Sequence, residues 1–507
     1  MTVQLIKITE GNGDYMWNEK AAKPLLIFYI GFLFLATFFI VPTITSFYYY
    51  AWGKHLAWSY FDGPPMIAYF FHASQLLFGN TYFSINIIGF LCLMLGGFFI
   101  YKTGCLMHNE RTGFISALIW IALPTTTESI FVRVLYDAPL NLFTILSVYY
   151  FARHISSKRV LDLYLCALFL GAMILSKYTA VVTVAGLFFY VIFSQQRQLF
   201  KSVHFYLACL LIILIVSPVI YWNINHNWIS ITYLLNFHSQ TQNNTTVLHS
   251  FLELLGSLIV NYSVFLILSL WGLYQYQQIK NSDNNLILEL NFVVLIVGLV
   301  FWISATLLGG DARVVYLTPL GMNLALISGY VITRFNYQRL FHLVYSCFLC
   351  FSILMILINS WPIANYLKKG RAYTVLQKAI NEPEVLKKGQ PVVTGYYTNA
   401  AALNFFMPHE PVYAIPCGDI NQYQYWGDAF LKSLSKGQID KISYVDFRDT
   451  KSCAERFFNH CHSVATLAHH KIIPVIHKLT KPIFLYVYEC SSPRIQTPDA
   501  KTDNKVG

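Results

Sequence analysis

Apolar runs close to the ~20 residues that a bilayer-crossing helix needs recur from Pro24 to Trp361, with short polar stretches between them. After Trp361 the runs stop, and the chain reads as ordinary soluble sequence. The pattern predicts spans near Pro24–Ile44, Tyr82–Tyr101, Thr112–Pro124, Ala138–Ala152, Leu161–Leu175, Tyr178–Phe193, Val203–Tyr221, Phe251–Leu273, Leu286–Leu308, Val314–Ile332 and Leu340–Leu357. That makes about eleven, within a range of about nine to thirteen. The first run is longer than a signal-peptide core and lacks a small-residue cleavage site, so it is expected to stay as an anchor. Ser46–Tyr60 and Met66–Phe78 are too short or too polar to span; their aromatic content suits helices lying at the membrane surface. Beyond Trp361, strand-like runs ("QPVVTGYY", "KISYVDF", "PIFLYVYEC") alternate with helix-like ones ("NAAALNFFM", "AERFFNHCHSVATLAHH"). The expected organisation is a polytopic α-helical membrane region over residues 1–361 with a first outer loop at about 45–81, a small α/β domain over 362–491, and a disordered end over 492–507. The polar low-complexity patch "SQTQNNTT", Ser239–Thr246, falls in a long outer loop.

Composition agrees with that division: 56% of the residues are hydrophobic and 12% charged, where soluble domains carry about 25% charge. Loop charge sets the expected orientation, because Lys and Arg near span ends favour the cytoplasmic side. One alternate set of loops holds Lys102, Arg111, Arg153, Lys158, Arg159, Arg197, Lys201, Lys280, Arg334 and Arg339. The other holds only Lys54, Arg133, Lys177 and Arg313, so it and the stretch Phe47–Phe71 are expected outside the cytoplasm. An odd span count then places the region after Trp361 outside as well. The net charge of +11 follows from these loops and does not argue for nucleic acid. Of ten cysteines, Cys417, Cys453, Cys461 and Cys490 lie in the outer region, an even number whose pairing the sequence leaves open.

Ionisable groups kept near a membrane are functional candidates. Asp62, Glu128, Arg133, Asp137, Lys177, Asp311 and Arg313 all sit at span ends or in loops of the outer set. Cations there can hold a phosphate, and carboxylates can activate a hydroxyl. The competing structural readings are snorkelling to the interface for Lys177 and charge complementarity at a helix start for Asp137. No glycine-rich phosphate loop of the Gly-x-x-x-x-Gly-Lys kind occurs.

Four stretches in order, "YYYAWGKHLAWSYFDGPPMIAYFFHASQLLFGN", "YDAPLNLFTILSVYYFAR", "LGAMILSKYTAVV" and "YWNINHNWISITYLLNFH", resemble the bacterial GT-C glycosyltransferases related to protein O-mannosyltransferases and lipid A aminoarabinose transferases. "NQYQYW" at Asn421–Trp426 resembles a fifth. The resemblance implies an inner-membrane enzyme that takes a sugar from a polyprenyl phosphate carrier such as undecaprenyl phosphate. The acceptor outside the cytoplasm would be lipid A, another glycan or a protein, with membrane lipids as surroundings. It implies that the first outer loop shapes the active site, with Asp62, Asp137 or Glu128 as catalytic carboxylate. Lys177, Arg133, Arg313, Pro64, Pro65 and Tyr423 would serve the donor, the prolines by fixing the loop backbone.

Relatives usually carry an Asp-Glu pair just before the aromatic run, with the Asp as base; here the positions are Thr45 and Ser46. An unaided hydroxyl does not replace a carboxylate as base near neutral pH. The His that usually follows the loop acid is Gly63. The base has therefore moved, or the protein is an inactive relative. The resemblance also implies that the acid at Asp62 binds a divalent metal ion or orients substrate, with His238 as a second ligand; two ligands fall short of the four, or three plus water, of a zinc site. Alternatives are a lipid-binding scaffold and a transporter of lipid-linked sugars.

Overall fold

The computed structural model describes residues 19–234, 247–279, 285–308, 314–360, 368–415, 417, 421–469 and 483–494. Helices fill each predicted span: α1 Glu19–Phe39, α4 Tyr82–Met107, α5 Glu110–Ala122, α7 Asp137–Ser157, α8 Val160–Ile174, α9 Val181–Phe193, α10 Val203–Asn225, α11 Val247–Ile279, α12 Leu286–Leu307, α13 Thr318–Arg334 and α14 Gln338–Asn359. Between them lie the short helices α2 Ile44–Trp52, α3 Met66–Phe78 and α6 Pro124–Thr126. Among the described residues five helices are long and apolar enough to cross a membrane, or up to seven if two bent pairs each count as one span. The predicted runs are helical, but only this smaller set meets the length and apolarity expected of a crossing.

The first predicted run splits. Helix α1 stops at Phe39, before Val41-Pro42, because the residue preceding a proline is driven out of helical backbone. Val41 instead donates its N–H to Asn359 O at 2.9 Å, and Thr43 restarts the chain as the N-cap of α2, accepting the Ser46 N–H at 3.1 Å. Elsewhere helices meet through small residues: a Cβ built on Gly104 of α4 would lie 2.6 Å from Cα of Gly113 in α5.

The remaining elements are α15 Lys368–Asn381, β1 Val392–Thr394, α16 Tyr397–Phe406, β2 Val412–Ala414, α17 Gln422–Trp426, α18 Asp428–Ser435, β3 Lys441–Asp446, α19 Lys451–Phe457, β4 Phe458–His469 and β5 Ile483–Pro493. The strands form one mixed sheet in the order β2-β1-β3-β5-β4, parallel between β2, β1 and β3 and antiparallel from β3 through β5 to β4. Alternation along the strands serves two cores. Val392, Val445, Leu485 and Val487 join the core that runs into the helix bundle, whereas Val393, Ile442, Tyr444, Tyr488 and Cys490 join a second core with Phe430 and Ala454.

One expectation is corrected. The run Ala454–His470, read as helical, is helical only to Phe457 and is a strand over Phe458–His469. Pairing with the long strand β5 overrides local preference, and the disulfide Cys461–Cys490 joins residues that are register partners. The second disulfide is Cys417–Cys453. The patch Ser239–Thr246 and residues 495–507 of the expected disordered end lie outside the described residues.

Candidate active site

The first loop folds back on α2. Tyr60 and Gly63 exchange backbone hydrogen bonds, which leaves Asp62 at the tip of a tight turn. Trp52 stacks on Tyr60 at 4.0 Å, and the Tyr60 hydroxyl donates to His55 O at 2.9 Å, so the turn is clamped from inside. Pro64 and Pro65 are buried behind it; Met66, at the start of α3, donates its N–H to Leu175 O at 3.0 Å. This last bond ties the loop to the α8–α9 turn that carries Lys177.

Asp62 is half-buried and accepts a hydrogen bond from the Tyr48 hydroxyl at 3.0 Å. Burial raises its carboxyl to about 7, against the opposing pull of that hydrogen bond. Its charge also acts on the hydroxyls of Tyr49 and Tyr136, which pack edge to face at 5.0 Å.

On the far side of Tyr136 lies Lys177. Its ammonium is 2.7 Å from Asp137 Oδ1, with side chains only 8% and 2% exposed. It sits over the rings of Tyr136 and Tyr316 at 4.4 and 4.7 Å. Lys177 therefore does not snorkel. Asp137 keeps the helix-start position expected of it, in the first turn of α7, and has the lysine as its partner.

Glu128 and Arg133 come from an irregular element. After Ala122 the chain bends by 57° through Pro124 and then runs as a π-helix over Thr127–Val132. Arg133 N–H bonds Glu128 O at 2.8 Å, one residue farther than in an α-helix, and the two side chains pair at 3.5 Å, each 37% exposed. Arg133 also acts on Lys177. Asp62, Lys177, Asp137, Arg133 and Glu128 thus gather at one end of the bundle, although about a third of the membrane region separates the first from the last in sequence.

Tyr423 is 3% exposed, stacks on Tyr48 at 6.4 Å and accepts a hydrogen bond from Asn404 at 2.9 Å. Arg313 and His238 lie outside the described residues. Ser46, one of the two hydroxyls at the expected Asp-Glu positions, is fully buried in the α2 cap, 2.6 Å from the Thr43 hydroxyl. Among the described residues no group of three or more His, Cys, Asp or Glu side chains is placed to hold a metal ion. Around Asp62 they supply the Tyr48 hydroxyl and Gln422, whose Oε1 accepts the Phe61 N–H. His72 and His226 bond backbone carbonyls, Gly53 O at 2.7 Å and Trp222 O at 2.8 Å.

Sequence reasoning missed Tyr48, Tyr136, Tyr316 and Gln422. A tyrosine run in an aromatic-rich chain carries no spacing signal that separates a carboxylate partner from core. Gln422 lay within the motif "NQYQYW", which was the available hint.

Residues 62–222 match the family model of dolichyl-phosphate-mannose-protein mannosyltransferases. No curated protein matches the chain in sequence. Among solved structures, ArnT from Cupriavidus metallidurans in the apo state is similar at 13% identity, with 92% of this chain and 98% of that chain covered and a TM-score of 0.65. The same protein bound to undecaprenyl phosphate is similar at 12% identity over 92% and 98%, with a TM-score of 0.63. At these identities the likeness is one of fold. Together with the family match over residues 62–222, it supports the resemblance to GT-C glycosyltransferases read from the sequence.

Proposed function

We propose that this chain is a membrane glycosyltransferase that moves a sugar from a polyprenyl phosphate carrier, undecaprenyl phosphate in a bacterial envelope, to lipid A, another glycan or a protein. The observation that carries the reading is the meeting of the half-buried Asp62 with the Lys177–Asp137 and Arg133–Glu128 pairs at one end of the bundle. An acceptor oxygen attacks the anomeric carbon, forming a new C–O bond as the bond to the phosphate oxygen breaks. The lipid phosphate leaves with the electron pair. Asp62 takes the proton of an acceptor hydroxyl; an acceptor phosphate already ionised needs no base. Arg133, the more exposed cation, exchanges Glu128 for the donor phosphate, and Lys177 adds positive potential from behind. Pro64, Pro65 and the buried Tyr423 serve the donor by shaping the loop.

In this reading all eleven helices cross the inner membrane, the N-terminus is cytoplasmic, and residues 362–491 form an outer domain. The basic loops of the opposite end support it, because Lys158 reaches Gln196 at 3.0 Å and Asn285 bonds Met107 O at 2.6 Å, gathering them on one side. So do the two disulfides after residue 361, which an oxidising compartment permits. A transporter has less support, since the charges lie at one end rather than at mid-depth.

A second reading, an inactive relative that binds polyprenyl lipid or scaffolds an envelope complex, is favoured by one observation: Ser46 is spent in a helix cap where relatives usually carry a carboxylate. Two measurements separate them. Mass spectrometry of envelope lipids and glycans with and without the gene should reveal a missing sugar. Membranes matched for protein level should transfer from an undecaprenyl-phosphate-linked sugar in the parent and fail to do so in Asp62→Asn. An intact set of glycans together with an inactive parent moves the conclusion to the scaffold.

A further inference from the structure

We propose that Gln422 is a positioning residue for Asp62, so that the sheet-bearing region, and not the membrane helices alone, fixes the first-loop carboxylate in its working place. The consequence for catalysis rests on the transferase reading; the geometry does not. Phe61, the residue before the acid, donates its buried N–H to Gln422 Oε1 at 2.7 Å. The Gln422 backbone N–H donates to the Tyr48 hydroxyl at 3.3 Å, and that hydroxyl donates to Asp62 Oδ1 at 3.0 Å. Because Phe61 and Asp62 are adjacent, the links close a ring. One residue holds both the backbone that carries the carboxylate and the hydroxyl that orients it.

Gln422 is itself held. Asn421 Oδ1 accepts the Tyr423 N–H at 3.0 Å and starts α17, Tyr423 packs on Tyr48, and Trp426 lies over His55 at 4.6 Å. Tyr397 of α16 packs on Tyr48 from the same side at 4.7 Å. A plain seal over the loop would require only that the buried Phe61 N–H find an acceptor. The second grip, through Tyr48 to the reacting carboxylate, goes beyond that need. Loss of such support acts on rate more than on binding, since displacement of a catalytic group by ~1 Å can cost about 10²-fold.

The test uses the full chain in lipid nanodiscs with an undecaprenyl-phosphate-linked sugar and an envelope acceptor extract. Gln422→Met keeps the shape and removes the acceptor oxygen, Gln422→Glu keeps an oxygen, and Tyr48→Phe cuts the second path. Gln422→Met and Tyr48→Phe should each lower kcat by roughly 10- to 100-fold with the donor KM little changed. The double variant should be no worse than the worse single, because both act in one ring. Hydrogen exchange of the Phe61 amide should rise by at least about tenfold in Gln422→Met and return toward the parent rate in Gln422→Glu. An unchanged kcat per folded molecule, fully additive losses, or a rise in KM alone would overturn the proposal. An inactive parent removes the transferase reading only; the exchange measurement then decides, and an unchanged Phe61 amide rate overturns the positioning role.

Discussion

Asp62 and Lys177 are both ionisable and both packed among tyrosines, yet they differ in partnership. Among the described residues Asp62 has a hydroxyl donor and no cation within an ion pair, so burial raises its carboxyl to about 7. In the transferase reading Asp62 is the base and is active when ionised, so transfer to a hydroxyl acceptor should fall as pH drops through about 7 and level off above it. Asp62→Asn should abolish that limb and lower the rate by about 10²–10⁴-fold. The sign for stability is opposite: a carboxyl whose folded pKa is raised contributes stability below its unfolded pKa and loses it as pH rises through the folded value. Asp62→Asn should therefore leave the thermal midpoint at pH 8 unchanged or higher, separating loss of activity from loss of fold. Lys177 is the reverse case. Removing one member of a buried pair typically costs about 3–5 kcal/mol, so Lys177→Ala should sharply reduce folded protein, while Lys177→Met combined with Asp137→Asn recovers part of it in a detergent melting assay. Arg133, being more exposed, gives the cleaner donor test: Arg133→Gln should raise the donor KM with little effect on melting.

At the scale of elements, the π-helix Thr127–Val132 does what a regular helix would not, setting Glu128 and Arg133 against each other across five residues. Helix α4 packs directly on it: a Cβ on Gly89 would collide with the carbonyl oxygen of Ile130 and approach the Val134 side chain within 2.9 Å. Gly89→Ala should push this turn outward and lower donor use while the disulfide-bonded sheet remains folded, as judged by normal disulfide mapping and a fall in kcat/KM. Unchanged kinetics would show that the turn yields without moving Arg133. Long apolar helices were readable because twenty-residue runs have few alternatives in a bilayer. The π-turn was not, since "TTTESIFV" differs in no pattern from an ordinary helix end and owes its form to Pro124 and to the close approach of Gly89. The strand Phe458–His469 escaped the local pattern for a similar reason: its partner β5 begins only at Ile483, and pairing with that distant segment is what stabilises the extended form.

For the whole molecule, the transferase reading requires the sheet-bearing region and the Asp62 end of the bundle to share one side of the membrane, and the contacts agree. Lys54 reaches Asn404 O at 3.0 Å, Phe47 packs on Phe405 at 4.6 Å, and Tyr373 donates to Pro42 O at 3.2 Å. Gln438 is exposed on the sheet-bearing region, so the transferase reading expects a Gln438→Cys variant in intact cells to react with a membrane-impermeant thiol reagent. Protection until the membrane is opened would reverse the orientation. Peptide mapping without reduction should recover Cys417 linked to Cys453 and Cys461 linked to Cys490.

By itself the sequence determined the properties that composition and period carry: where the apolar runs lie, which loops are basic, that a strand-bearing region comes after Trp361, and which rare charges lie in the sparsely basic set of loops. Those properties are local, and a window of about twenty residues contains them. Tertiary structure alone decided which of those charges meet and how each is held. Lys177 finds Asp137 rather than water, Ser46 closes a cap, the cysteines choose partners, and Gln422 reaches Asp62 through Tyr48. Most of these are pairwise geometries between residues far apart in the chain, set by packing in three dimensions, and no periodicity along one dimension encodes them.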